Sequence, residues 1–375
     1  MRDDVELQPW FKHAIGLVPS VEIFDAHMHV GQNDPDGFRA NAGQILETLA
    51  LAGGARGVIF PFHEPDGYQR ANQQVIDDAA ASAGRLVAFC RLDPRHEDAV
   101  AEAKRSLDAG ARGIKLHPRA EGFALDEPEV REVFEVAHER GVPVLIHAGR
   151  GIPALGIHTV ELARALPDTH VILAHCGISD LSWIWRDARE LPNLYFDTSW
   201  WASADVMTLC RLVPPGQILF ASDAPYGTTT QHALFVIRCA LQSGLSHEQI
   251  HAIMAGQLER LVDREQPLDL GPALDQRERS EDVLLQRVAT FLTTAIGRIF
   301  SGGDGTETLA LARLACQLPP DDPRADVAAS IVRLLDLYDQ VAEPPPLAVG
   351  SRGIHLVLTG LCLAATPDVG APAFD

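Results

Sequence analysis

Short apolar runs alternate along this chain with longer stretches in which apolar residues recur at helical spacing. Eight runs read as strands, at residues 21–27, 57–60, 86–90, 113–116, 142–146, 170–174, 194–196 and 217–221. They are nearly continuous in Val, Ile, Leu and Phe, the pattern of strands buried on both faces. Between them, residues 42–52, 71–83, 98–108, 129–140, 159–166, 180–190 and 204–212 read as helices, and two more follow the eighth strand at 232–243 and 250–262. Ser246, with Gln249 three residues on, has capping-box spacing ahead of the last of these. Eight β-α units of this size predict an α/β fold, a (β/α)8 TIM barrel. A doubly wound open sheet is the alternative, but no Gly-x-Gly-x-x-Gly follows the first strand.

From Arg264 the pattern changes. Pro267, Gly271 and Pro272 break it, a charged segment covers 275–282, and helical spacing resumes at 283–300, 307–317 and 327–338. Pro344, Pro345 and Pro346 form a stiff connector to a last apolar segment at 354–365, too short to span a bilayer as a helix. We therefore expect a barrel over residues 1–264 and an α-helical C-terminal extension over 265–375.

Composition narrows the partners. Lys and Arg total 31 against 51 for Asp and Glu, a net charge of −20 in 375 residues, which argues against a nucleic-acid or anionic-membrane partner. The six cysteines are scattered without a Cys-x-x-Cys pair, as expected of reduced, buried thiols in the cytoplasm. Residues 1–9 show no apolar stretch of the kind a secretory signal carries. A homo-oligomer is compatible with all of this.

In a β/α barrel the C-terminal strand ends form the mouth where chemistry happens, so the residue closing each run is the informative one. The first run closes on Asp25-Ala26-His27-Met28-His29, and residues two apart on a strand share a face, so His27 and His29 can aim two imidazoles at one point. Strand four ends on Lys115-Leu116-His117-Pro118, strand five on His147, strand six on His175 and strand eight on Ser222-Asp223-Ala224-Pro225. Several polar residues closing apolar runs in one ring are a poor fit to chance core positions and a good fit to a site. His63 and Glu64 follow strand two, Arg91 follows strand three, and Arg119 and Arg150 lie just beyond strands four and five. Such arginines suit a carboxylate-bearing substrate, because guanidinium binds carboxylate in bidentate fashion; pairing with nearby acidic residues is the competing expectation. Trp200 and Trp201 follow Asp197-Thr198-Ser199 at strand seven, and Tyr226 follows Asp223; they wall a pocket or pack a loop. His96, His138, His158, His232, His247 and His251 fall in or beside helical stretches and are expected to be solvated.

Taken together, Phe24-Asp25-Ala26-His27-Met28-His29, Gly113-Ile114-Lys115-Leu116-His117-Pro118, Ile146-His147-Ala148-Gly149, Ala174-His175-Cys176-Gly177 and Ser222-Asp223-Ala224-Pro225-Tyr226-Gly227 resemble the amidohydrolase superfamily, in its amidohydrolase-related (amidohydrolase 2) branch. The resemblance covers about residues 20–262. It departs at Gln257-Leu258-Glu259-Arg260-Leu261, where Asn-Ala-x-x-Leu is usual, and nothing in it corresponds to the tail beyond Arg264. It implies one or two divalent metals at the barrel mouth. One-metal members would use His27, His29, His147 and Asp223, leaving His175 for catalysis and Lys115 as an ammonium that attracts a substrate carboxylate. Two-metal members would put His175 with His147 on a second ion, bridged by a carboxylated Lys115. The Leu-His-Pro continuation and the Ser-Asp-Ala-Pro ending favour one ion.

Imidazole and carboxylate donors suit zinc and related ions, and a bound metal lowers the pKa of water toward about 7. Asp223 is then the expected proton acceptor, and His175 a ligand or an acid/base group. The expected function is a metal-dependent hydrolase that uses metal-activated water on an amide, lactam, lactone or ester of a small carboxylated molecule. His117, His63, Arg91, Arg119, Arg150, Lys115, Trp200 and Tyr226 are the candidates for binding it. Non-oxidative decarboxylation in the same fold, and a lapsed barrel serving as a scaffold, are the alternatives.

Overall fold

In the computed structural model, residues 3–149, 151–274, 282–342 and 352–374 are described. Eight strands occur where apolar runs predict them: β1 Phe24–Val30, β2 Arg56–Pro61, β3 Leu86–Leu92, β4 Gly113–Leu116, β5 Val144–Ile146, β6 Val171–Leu173, β7 Leu194–Asp197 and β8 Ile218–Leu219. They pair in parallel and in chain order, as right-handed β-α crossovers require. The ring closes where the Ala26 N–H donates to the Phe220 carbonyl at 2.9 Å and the His29 N–H to the Ala224 carbonyl at 2.7 Å. The fold is a (β/α)8 barrel with a C-terminal helical region.

Side chains of Phe24, Phe60, Phe89, Leu145, Ile172 and Tyr195 fill the barrel, and Leu258, Leu261 and Val262 close its lower end. The plug is not the continuous helix that the spacing over 250–262 predicts. A π turn at Ala252–Gly256 separates His247–His251 from Gln257–Asp263. Its cause is visible: the Ile253 carbonyl accepts the Phe220 N–H at 2.9 Å, which takes it from the helical ladder. The capping box upstream is formed as expected, Ser246 Oγ accepting the Gln249 N–H and Gln249 Oε1 the Ser246 N–H.

Two helices, Asp3–Glu6 and Gln8–Leu17, precede β1, where the sequence reading places no element. Trp10, Phe11 and Ala14 give the second a buried face. After residue 282 come helices Val283–Phe300, Thr306–Ala315, Ala325–Val341 and Ile354–Ala365. They pack onto the barrel: the Trp10 indole donates to Ser330 Oγ at 2.9 Å and lies 4.9 Å from the Phe374 ring, tilted by 47°. Val283–Phe300 is long and apolar enough to cross a membrane by length and composition, and its buried face lies against the other extension helices and the barrel. Pro344 to Pro346 lie outside the described residues, as does most of the charged segment 275–282.

Candidate metal centre

β1 carries a register irregularity between Asp25 and Met28 that decides which way its histidines face. Phe24 and Ala26 belong to the barrel interior, yet Met28 packs in the outer layer between strands and helices. Strict alternation would send Met28 inward with them; the bulge shifts the phase, so that His27 and His29 point into the mouth. Gly57 makes room outside, since a Cβ there would lie 2.4 Å from Met28 Sδ. Asp25 ties the bulge down: Oδ1 accepts the His27 and Ser222 N–H groups and Oδ2 the Thr229 hydroxyl.

His27 Nε2 is the centre of the site. It lies 3.2 Å from His29 Nε2, 3.2 Å from Asp223 Oδ1 and 3.3 Å from Lys115 Nζ. His29 Nε2 is 3.1 Å from the same Asp223 oxygen. The other His27 nitrogen, Nδ1, pairs with Asp197 Oδ2 at 2.7 Å. That pairing fixes the tautomer, with the proton on Nδ1 and a lone pair on Nε2. Burial pushes His27 down to about 3 and His29 well below its ordinary value, so both imidazoles are neutral at physiological pH. Burial also pushes Asp197 upward, but His27 and the hydrogen bonds around it outweigh this and hold its carboxyl below the usual range. His27, His29 and Asp223 offer ligand atoms within 4.8 Å of one another. Two imidazole nitrogens, that of His27 with its lone pair fixed, and a carboxylate oxygen facing one another in a largely buried site fit a divalent cation.

His147 stands beside this group. It stacks on His117 at 3.8 Å, and its Nδ1 meets His175 Nε2 at 3.0 Å. His175 Nδ1 in turn donates to the Ser199 carbonyl at 2.8 Å. The chain of bonds leaves His147 Nε2 buried, without a partner and with its lone pair free. His117 Nδ1 accepts the Ala120 N–H, capping a one-turn helix at Pro118–Glu121. Burial lowers both rings well below their ordinary value. Lys115 is fully buried, 4.8 Å above the Phe60 ring, and burial brings its ammonium down to about 7 against the pull of Asp197. Desolvation raises the Asp223 carboxyl well above its ordinary value, although Lys115 opposes this. His175, Cys176 and Asp223 all have positive φ, between 55° and 59°, without being glycine. Such strain costs of order 1–3 kcal/mol per residue and gathers at functional sites.

The outer candidates separate. Arg91 is buried and donates to Glu121 Oε1 at 2.7 Å, so the competing expectation, pairing with an acid, holds there. His63 joins the same carboxylate at 3.3 Å, with Tyr68. Arg119 is exposed, and Arg150 lies outside the described residues. Tyr226 stands edge-on to His29 at 5.7 Å, its hydroxyl donating to Asp34. The Trp200 ring is 6.2 Å from His175. One expectation is corrected: His232 is not solvated but buried, because its helix, Thr229–Ser243, is enclosed behind β8; burial lowers it to about 3. Asp197, Asp25, Glu121 and Asp34 go unassigned in the sequence reading. Asp197 and Asp25 have a signal there, since Asp197 closes an apolar run and Asp25 sits in the segment that closes the first.

The family model described as amidohydrolase matches residues 24–261. No curated protein matches the chain. Among solved structures, an uncharacterized TIM-barrel protein from Bordetella bronchiseptica superposes with a TM-score of 0.53 at 18% identity, over 65% of this chain and 99% of its own. A 2,6-dihydroxybenzoate decarboxylase in complex with 2,6-dihydroxybenzoate gives 0.52 at 16%, over 65% and 99%. An amidohydrolase II gives 0.52 at 19%, over 64% and 100%.

Proposed function

The chain belongs to the amidohydrolase family, and from that premise we propose that it is a metal-dependent hydrolase acting on an amide, lactam, lactone or ester of a small carboxylated molecule. The observation that carries this is the single Asp223 oxygen set 3.2 and 3.1 Å from the Nε2 atoms of His27 and His29. His27, His29 and Asp223 would hold one divalent cation, most simply zinc, with His147 Nε2 as a further ligand. Such an ion supplies Lewis-acid polarisation and a lowered pKa for water at its open position. The second Asp223 oxygen takes the proton from attacking water and returns it to the leaving group; desolvation suits it to this by raising its proton affinity. Lys115 draws the substrate carboxylate inward. His175, oriented by Ser199, is the acid/base partner facing His147.

Non-oxidative decarboxylation is the second reading, favoured by the dryness of the site: Lys115 and His27 are both fully buried, and a carboxylate stripped of water there is destabilised. A decarboxylase also shares the fold. The test is a panel of carboxylated lactones, amides and aromatic acids offered to metal-loaded protein, with products identified by mass. Addition of water supports hydrolysis, and loss of CO2 without addition of water supports the second reading. Six buried free thiols and the net charge of −20 support a cytoplasmic enzyme of small molecules without nucleic-acid or membrane partners.

A further inference from the structure

The family match ends at residue 261, but a side chain from beyond it packs on the aromatic pair that leads to the site. Phe300, the last residue of helix Val283–Phe300, packs edge-on against Trp201 with ring centroids 5.7 Å apart. Trp201 lies 6.0 Å from Trp200, and Trp200 lies 6.2 Å from His175. All three separations are those of favourable aromatic contact. Residues 198–202 belong to no strand or helix; the Thr198 N–H on the Leu219 carbonyl and the Ser199 N–H on Asp197 Oδ1, both at 3.0 Å, fix the backbone there, and what the indoles touch sets their rotamers. The far edge of Trp200 is held by its Nε1–H, which donates to Asp205 Oδ2 at 2.7 Å.

We propose that Phe300 is a positioning residue: acting through Trp201, it holds the Trp200 indole against His175, so that the helical extension builds one wall of the site. The inference rests on the reading of His175 as a site residue. It gives the extension a part in the enzyme, since a wall that depends on Phe300 sets how substrate meets His175.

The full-length, metal-free protein carries the test, with labelled tryptophan indoles and histidine rings observed by NMR. Trp200→Phe and His175→Asn assign the two signals of interest. The indole of Trp10, bonded to Ser330 of the extension, reports whether the extension is still docked. Phe300→Ala is expected to move the Trp200 and His175 signals while that of Trp10 stays in place, and Phe300→Tyr to leave all three near wild type. Trp201→Leu, which leaves the extension helix whole, is expected to reproduce the two shifts should Phe300→Ala undock it. If neither variant moves the His175 signal, or if only Asp205→Ala does, the proposal is wrong. On any substrate found, Phe300→Ala is expected to raise KM by roughly fivefold with metal content unchanged. Unchanged KM and kcat would overturn the proposal too. A failed metal count would sink the proposed function without touching the NMR result, so the two failures are distinguishable.

Discussion

Asp197 is the residue on which the aim of His27 depends, and it acts without facing the substrate. With Asp197→Asn the anion beside Nδ1 is lost and Nε2 becomes a weaker donor, so affinity for a divalent ion is expected to fall by about 10–100-fold. Equilibrium dialysis against zinc measures this, and an unchanged affinity would remove Asp197 from the account. Asp223→Asn keeps the shape but cannot accept a proton; turnover of a confirmed substrate should drop by roughly a hundredfold or more. Near wild-type turnover would leave the base to be found elsewhere. Lys115 carries a pH signature. Its folded value, about 7, is below its ordinary 10.5, so between these the unfolded chain binds the extra proton. Stability of the metal-free protein should therefore rise with pH across that window on account of Lys115. Lys115→Met should lose that part of the slope, which denaturant midpoints at a series of pH values would show; parallel slopes in the two proteins would contradict it.

Strand positions differ in what they tolerate. Gly113 opens β4, and a Cβ there would meet the Phe89 ring at 2.6 Å inside the barrel; at Gly57 it would meet Met28 Sδ at 2.4 Å in the outer layer. A ring fixed among barrel side chains cannot give way, but a thioether can turn. Gly113→Ala is thus expected to cost about 1–3 kcal/mol and Gly57→Ala distinctly less, as urea unfolding would resolve. Equal losses would show that packing around Met28 is as rigid as the barrel. The strands themselves are legible in the sequence because each is a buried apolar run, and His27, His29, Lys115, His147, His175 and Asp223 are legible because they close or follow such runs. The bulge in β1 is not, since it depends on hydrogen bonds from Asp25 to Ser222 and Thr229, about two hundred residues away. Glu121 closes a one-turn helix and Asp34 stands in a loop, where no periodicity marks them, and their partners Arg91 and Tyr226 lie far away in the chain. The π turn is invisible for the same reason: it arises from a bond to Phe220, not from the residues that form it.

On the scale of the whole molecule, the last helix of the extension, Ile354–Ala365, packs on the barrel helices Ser203–Leu212 and Thr229–Ser243. Arg238, buried in the helix behind β8, donates to Thr366 Oγ1 at 3.0 Å, to the Thr366 carbonyl at 2.9 Å and to the Gly370 carbonyl at 2.7 Å. Arg238→Met strips the buried Thr366 carbonyl and the half-buried Gly370 carbonyl of their donor, at about 1–3 kcal/mol for the buried one, so the C-terminal segment should be cleaved by protease roughly tenfold faster or more. Cleavage at the wild-type rate would show that apolar packing alone holds it. The barrel match covers residues 24–261, and the divalent ion proposed above would be shared between the ends of β1 and β8, where His27, His29 and Asp223 meet. Elemental analysis of the purified, metal-replete protein therefore tests the central claim most directly, run beside His27→Ala, His29→Ala and Asp223→Ala. About one divalent ion per chain in the wild type, and a clear loss in each variant, is the predicted result. No ion in the wild type, or the same stoichiometry in all four proteins, would contradict it.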